Sequence, residues 1–211
     1  MHQVLRRFLM KTETVGVFSS GNGRDKALDL TERTAAYCRL DKKSSLRLLL
    51  LSEELIELIR PFADMFHGDF WLETDGNNIE IHLKTEIPMD QKTRKELLSV
   101  SSSGKNSAAK GLIGRIREMI ESVTLPDDPE TKAMSDEAMS LMSLGCQMGS
   151  HYGSAYSWSM NTYAASVSEK EADNGEAKDE LEKSIVANLA DEVKVNIVGS
   201  DVEVVIFKSA V

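Results

Sequence analysis

The sequence predicts an α+β fold, a two-layer sandwich with helices on one face of a mixed, mostly antiparallel sheet. The first observation is Asp75-Gly76, which lies between two alternating apolar and polar runs and indicates a β-hairpin. The second is a similar pair of runs around 199–201, near the end of the chain. The third is a pair of helical patterns that precede the first hairpin.

Size and charge limit the function classes. The chain has 211 residues, which suits one large domain or a domain with a sizeable insertion. Its hydrophobic content of 41% is ordinary for a globular protein. The net charge of −9 argues against a nucleic-acid partner, because phosphate binding requires a basic surface.

The cysteines and the apolar runs indicate the compartment. Cys38 and Cys146 have no metal-binding or redox spacing, which favours a reduced, cytoplasmic protein. The longest apolar run, from Leu48, is interrupted at Ser52, well short of the roughly 18 residues of a membrane span. We therefore expect no membrane partner.

The N-terminal elements are two helices after a strand. The second half of 3–18 is strand-like, and a helix follows at about 24–38. The next helix is predicted from about residue 44 to about residue 65, with Ser44 or Ser45 as its N-cap. Strands at 70–74 and 78–87 complete the first half.

The second half is less regular. Helices are predicted at about 107–123 and 131–144, and the run 155–166 fits either a strand or a helix. Residues 167–178 are acidic and predict a solvated linker. A helix is predicted from 179 to 193, and then the two strands of the final hairpin, 193–198 and 202–207.

The run LRLLLLSEELIELI at 46–59 is the most unusual feature. It is apolar nearly all round, which predicts a helix buried on more than one side. Glu53 and Glu57 continue an apolar stripe and, being four residues apart, lie on one side of the helix. Two interpretations stay open: a pair of active-site acids, or the lining of a former pocket or an exposed stripe.

That run, together with LADEVKVNIVGSDVEVVIFK near the end, resembles the GHKL ATP-binding fold of gyrases and histidine kinases, and most of all its anti-sigma-factor serine kinase branch. The resemblance covers roughly 3–88 and 179–208. It implies a single ATPase-fold domain over 1–211, in which 89–178 is an enlarged ATP lid.

The resemblance assigns roles to several residues. Glu53 matches the family's catalytic glutamate, which positions or deprotonates the attacking group. Glu57 stands where the family has an asparagine that holds magnesium, and a carboxylate also binds magnesium. Thr85 and Glu86 lie near the place of the family's adenine-reading aspartate.

The residues themselves offer a candidate phosphate-binding segment, in a place other than the family's glycine-rich run. The run 101–114 contains Gly104, Lys105 and Gly111 at the start of a predicted helix, where phosphate groups bind backbone N–H groups. It is not a Walker loop, because the residue after Lys105 is Asn106. The implied cofactors are ATP and Mg²⁺.

Two functions follow. In the first, the protein binds ATP in a regulatory role, with an activity like that of the serine kinases. In the second, the altered motifs no longer bind nucleotide and the fold acts as a protein-protein interaction module, with a regulatory factor as partner. Five of the ten methionines lie at 134–160, and methionine-rich surfaces adapt to partner helices.

Dimerisation is common in the anti-sigma-factor branch, so a homodimer is also expected. A metabolic enzyme of another kind has no motif in its favour.

Overall fold

The computed structural model describes residues 10–58, 67–86, 116, 155–169, 181–182, 184–198 and 200–210. Within them, helices pack against an open sheet of seven strands, so the predicted α+β class is confirmed. Every strand pairing in this part of the chain is antiparallel, whereas the sequence favoured a mixed, mostly antiparallel sheet.

The sheet joins the two hairpins that the sequence predicts. Its order is β1-β3-β4-β7-β6-β5. Strand β2 pairs with the first half of β3, on the same edge of β3 as β1, which pairs with its last two residues. The β4–β7 pairing connects the N-terminal hairpin to the C-terminal one. The strands are β1 (Met10–Lys11), β2 (Val15–Phe18), β3 (His67–Thr74), β4 (Asn78–Glu86), β5 (Ala155–Ser159), β6 (Glu192–Val198) and β7 (Asp201–Ser209).

Helix α1 (Arg24–Tyr37) lies where the sequence predicts it, and helix α2 (Lys42–Glu57) begins earlier than expected. The carboxylate of Asp41 accepts a hydrogen bond of 2.6 Å from the Ser44 N–H, so Asp41 is the N-cap. The prediction of a serine cap was wrong because an aspartate directly before the first turn satisfies the same free N–H groups. The described helix ends at Glu57, with Leu58 as its C-cap, and residues 59–65 of the predicted helix lie outside the described residues.

The second half contains helices α3 (Met160–Glu169) and α4 (Ile185–Leu189). The ambiguous run 155–166 is thus a strand followed by a helix, and α3 includes the first residues of the predicted linker. The single helix predicted over 179–193 was wrong. Ser184 is extended, with φ −75° and ψ 124°, and its hydroxyl caps α4 by accepting from the Ala187 N–H at 3.2 Å.

The core lies between the helices and one face of the sheet. Alternate residues of the central strands point toward the helices and are almost fully buried, as the period of two requires. Helices α1 and α2 lie over β2, β3, β4 and β7, and α2 also packs on α4. The central apolar residues are Phe70, Leu72, Ile81, Leu83, Val195, Val204 and Ile206 on the sheet and Leu48, Leu51 and Leu55 on α2.

A close backbone contact sets the start of α1. Gly23, the N-cap, has φ +84°, a conformation that favours glycine. A Cβ atom there would lie 2.0 Å from the carbonyl oxygen of Gly16 in β2. Glycine at position 23 therefore lets the first turn of α1 approach the sheet closely, and this placement fixes where Arg24 begins the helix.

Part of the predicted insertion 89–178 belongs to the sandwich. Strand β5 pairs with β6 along its length, and Ile116 and Tyr163 are buried in the core. The predicted helices at 107–123 (apart from Ile116) and 131–144 lie outside the described residues. In the described ranges, none of the helices combines the length and apolar character needed to cross a membrane.

Candidate functional site

Helix α2 has a core side and an exposed side. Its buried residues are Leu48, Leu51, Ser52, Leu55 and Ile56, which share one side of the helix. The opposite side is formed by positions 46, 50, 53 and 57, whose spacing of four, three and four residues places them in one row. We call this row, Leu46, Leu50, Glu53 and Glu57, the outer surface of α2.

The leucines of this surface are unusually open. The exposed fraction is 53% for Leu46 and 41% for Leu50. Burial of the helix on more than one side was expected from its apolar sequence, and at these two leucines that prediction was wrong. Two leucines one turn apart therefore form a small exposed apolar patch on the N-terminal half of α2.

The C-terminal half of the same surface is acidic, and a cation from α1 faces it. The Arg24 guanidinium donates to the Glu53 carboxylate, with Nη2 2.9 Å from Oε1. Both side chains keep more than a third of their exposure, so this is a solvated ion pair. No sequence pattern indicates this pair, because the two residues are 29 positions apart on different helices.

A buried contact holds the two helices in register for this pair. The hydroxyl oxygens of Thr31 on α1 and Ser52 on α2 are 3.0 Å apart, and both residues are fully buried. Buried hydroxyl groups need such partners. This contact lies one residue from Glu53 along α2 and therefore fixes where Glu53 meets Arg24.

Glu54 adds a third carboxylate beside the outer surface. Burial raises the pKa of Glu54, and the negative charges of Glu57 and Glu53 raise it further. The three carboxylates thus create a local negative potential at the end of α2. We call Glu53, Glu54 and Glu57 the acidic end of α2.

Thr85 and Glu86 lie at the same end of the sandwich as the acidic end of α2. Strand β4 ends there, beside the start of β3, and β2 leads from that edge into the first turn of α1. Thr85 is 7% exposed, and its hydroxyl donates to the His67 carbonyl oxygen at 2.7 Å. Glu86 is exposed and lies opposite Asp201 in the register of the β4–β7 strand pairing.

The remaining predicted binding residues, Gly104, Lys105 and Gly111, lie outside the described residues. Where the structure does describe the chain, no three His, Cys, Asp or Glu side chains converge in a way that could hold a metal ion. The arrangement that is described is therefore an exposed helix surface, apolar at one half and acidic at the other.

Comparison with known proteins adds no relative. No protein-family model matches the chain, and neither a curated protein nor a solved structure is significantly similar to it.

Proposed function

We propose that this protein is a regulatory protein-binding module that docks an amphipathic helix on the outer surface of α2. The observation that supports the proposal is the exposure of Leu46 and Leu50 in one row with the carboxylates of Glu53 and Glu57. Helix-in-groove recognition uses such rows, since apolar anchors one turn apart match the repeat of a partner helix.

The apolar half supplies affinity. A leucine side chain that passes from full exposure to full burial contributes about 1.5–3 kcal/mol. Leu46 and Leu50 start at 53% and 41% exposure, so each contributes about half of that. Two such contacts suit a weak, reversible interaction of the kind that regulation uses.

The acidic half selects the partner by charge. The raised pKa of Glu54, caused by burial and by its two acidic neighbours, indicates that negative charges repel one another at this end. A partner with lysine or arginine next to its apolar positions relieves that repulsion. Charge complementarity of this kind increases the association rate and excludes acidic competitors.

A second copy of this chain is a poorer occupant. Two copies that meet through this surface with the helices parallel place acidic ends together, and like charges oppose the contact. With a net charge of −9, the chains also repel one another at long range. The proposal therefore does not include the expected homodimer. Analytical ultracentrifugation, which measures the mass in solution, tests for it.

The test is a titration with a synthetic helical peptide that has leucines on one face followed by lysines. We expect it to bind the full chain and to lose about tenfold or more in affinity to the L46D/L50D variant, because the apolar anchors are lost. The control is V198D, since Val198 is 57% exposed but lies on a strand. Equal affinities of L46D/L50D and the unchanged protein would contradict the proposal.

A second candidate function is ATP binding of the GHKL kind. One observation favours it: Glu53 and Glu57 share one side of α2, at the end of the sandwich where Thr85 also lies. Two of the residues that this function requires already have partners within the chain. Glu53 is paired with Arg24, and the Thr85 hydroxyl already donates to a backbone carbonyl.

Calorimetry separates the two functions. If the protein binds a partner helix and does not also bind nucleotide, titration with ATP and magnesium at millimolar concentration should produce no binding heat. Binding heat that disappears in the Glu57→Gln variant would support the nucleotide function, because that residue holds magnesium in the GHKL interpretation.

A further inference from the structure

Helix α4 has an exposed apolar side chain of its own. Ile185, the first residue of α4, is 46% exposed, a fraction between those of Leu46 and Leu50 on α2. The next residue, Val186, is 1% exposed and supplies the contact of α4 with the core. A single exposed apolar residue is ordinary on a protein surface, so Ile185 matters only if it adjoins the leucines of α2.

The order of the helices over the sheet places α4 beside α2. Helix α1 lies over β2 and β3, α2 over β4 and β7, and α3 over β5 and β6. Helix α4 packs on α2 and leads through residues 190 and 191 into β6, which lies on the far side of β7 from β4. Helix α2 therefore has α1 on one side and α4 on the other.

The start of α2 and the end of α4 lie at the same edge of the sheet. Cys38, directly after α1, has its Sγ 3.5 Å from Oγ1 of Thr74, the last residue of β3, and α2 begins soon after it. At the end of α4, the Asp191 N–H donates to the Phe207 carbonyl oxygen at 2.9 Å. The pairings of β3 with β4 and of β4 with β7 align Thr74 with the residue after Phe207.

The exposed apolar residues of the two helices therefore come level with one another. Leu46 follows the first residue of α2 by four positions, and Ile185 precedes the last residue of α4 by four. At about 1.5 Å of rise per residue, each lies about 6 Å from the shared edge, and Leu50 lies about 6 Å further along α2. The two helices run in opposite directions, so these three side chains lie at adjoining heights.

The leucine nearer to α4 is Leu50. Ser52 of α2 contacts Thr31 of α1, so Ser52 marks the side of α2 that faces α1. Leu50 and Glu54 are each two residues from Ser52, which is about 160° around a helix of 3.6 residues per turn. Being four residues apart, they form a row of their own, on the side away from α1. We call the space bordered by Leu50 and Ile185 the α2–α4 groove.

The charges along this groove have a direction. Arg47, seven residues before Glu54, lies on the same side of α2 near its start, where its charge acts on Asp41. At the other end Glu53 is already paired with Arg24, whereas no cation of the described residues pairs with Glu54. The groove is therefore basic near the start of α2 and acidic near its end.

We infer that the partner helix lies in the α2–α4 groove, with its apolar residues between Leu50 and Ile185 and its basic residues opposite Glu54. This inference rests on the proposed function and adds the path, the direction and a further contact. A helix that lies between two helices buries apolar side chains of both, as helix-in-groove recognition requires. A partner whose leucines precede its lysines then runs parallel to α2, which keeps its lysines away from Arg47.

The first test is titration of the full chain with the synthetic peptide in which leucines are followed by lysines. Ile185→Ser should lower the affinity about threefold to tenfold, because the contact of a half-exposed isoleucine is lost without a change of charge. The matched control is Tyr37→Ser, since Tyr37 is 55% exposed on α1 and lies off the path. It should bind the peptide as tightly as the unchanged protein does.

A cross-linking measurement needs no variant. The same peptide with a benzophenone group in place of one leucine is bound to the unchanged protein, irradiated and digested with trypsin. We expect adducts on the segments 48–60 and 184–194, which contain Leu50 and Ile185.

The outcomes separate this inference from the proposed function. An unchanged affinity of Ile185→Ser, an equal loss in Tyr37→Ser, or adducts on α1 in place of 184–194 would overturn the α2–α4 groove as the path. If L46D/L50D still loses affinity, docking on α2 itself stands. If L46D/L50D binds as tightly as the unchanged protein, the proposed function fails and this inference fails with it.

Discussion

Arg24 Nη2 lies 2.9 Å from Glu53 Oε1, so the first turn of α1 is tied to the acidic end of α2. No local pattern in the sequence predicts this ion pair. It shows that Glu53 interacts with a cation of its own chain, in a place where the GHKL resemblance predicts a catalytic carboxylate. A partner that approaches this end meets an acidic surface that is already partly neutralised.

Removal of the Arg24 side chain should lower the free energy of unfolding only slightly. Arg24→Ala leaves Glu53 solvated, and exposed ion pairs contribute about 0.2–1 kcal/mol, less at high salt. Urea unfolding at low and high salt measures the loss. Arg33→Ala, which removes more exposed pairs with Asp29 and Glu13, should cost no more than Arg24→Ala. A loss above about 2 kcal/mol for Arg24→Ala would indicate a structural role that exposed pairs do not have.

A methyl group at position 23 should be far more damaging than one at position 21. Gly21 and Gly23 both have positive φ, but only at Gly23 would the new Cβ atom lie 2.0 Å from a backbone oxygen. Gly21→Ala should cost about 1 kcal/mol from backbone strain alone, and Gly23→Ala at least about 2 kcal/mol more. The midpoints of urea unfolding compare the two directly, and similar midpoints would contradict the close approach of α1 to β2.

The N-cap of α2 should show an acid-dependent contribution. Hydrogen bonds from the backbone and side chain of Ser44 lower the pKa of Asp41 below its ordinary value of 3.8. A carboxyl group of this kind stabilises the fold above its ordinary pKa, and the stabilisation is lost as the pH falls through the lowered value. Asp41→Ala should therefore reduce the melting temperature at neutral pH, and the difference should shrink below about pH 3.8. A difference that stays constant with pH would disprove the cap.

Glu54 should behave in the opposite way. Burial and the charges of Glu57 and Glu53 raise the pKa of Glu54, so its ionised form destabilises the fold at neutral pH. Glu54→Gln should raise the melting temperature slightly at pH 7, with a gain below about 1 kcal/mol because the group is only partly buried. The gain should disappear as the pH falls and Glu54 takes up its proton. A lower melting temperature for Glu54→Gln would mean that a cation already compensates this carboxylate.

The sequence predicts the two hairpins well because their signals are local. Gly76 has φ +92° in the turn, and Asp75 Oδ1 accepts from the N–H groups of Asn77 and Asn78, so Asp-Gly determines the turn through its own atoms. The first strand, β3, alternates in burial as its sequence does, whereas in β4 the polar residues Glu80 and His82 are buried as well as the apolar ones. Such features need no information from distant parts of the chain.

The features that the sequence missed depend on distant partners or on competing local bonds. Glu53 and Glu57 were correctly placed on one side of α2, but Arg24 came from another helix. The contact of His82 with Glu203 appears only after β4 and β7 pair. Ser184 ended a predicted helix because its side chain competes with the helical backbone, which a helical period in Leu181, Ile185 and Leu189 does not reveal.

The most direct measurement of the central proposal is a charge-exchange experiment at the acidic end of α2. Two synthetic peptides share the same leucines and differ in having lysines or glutamates next to them, and each is titrated into the unchanged protein and into the E54K/E57K variant. The proposal predicts that the unchanged protein prefers the lysine peptide and that the variant prefers the glutamate peptide, with both preferences weaker at high salt. The same preference in both proteins would contradict docking on the outer surface of α2.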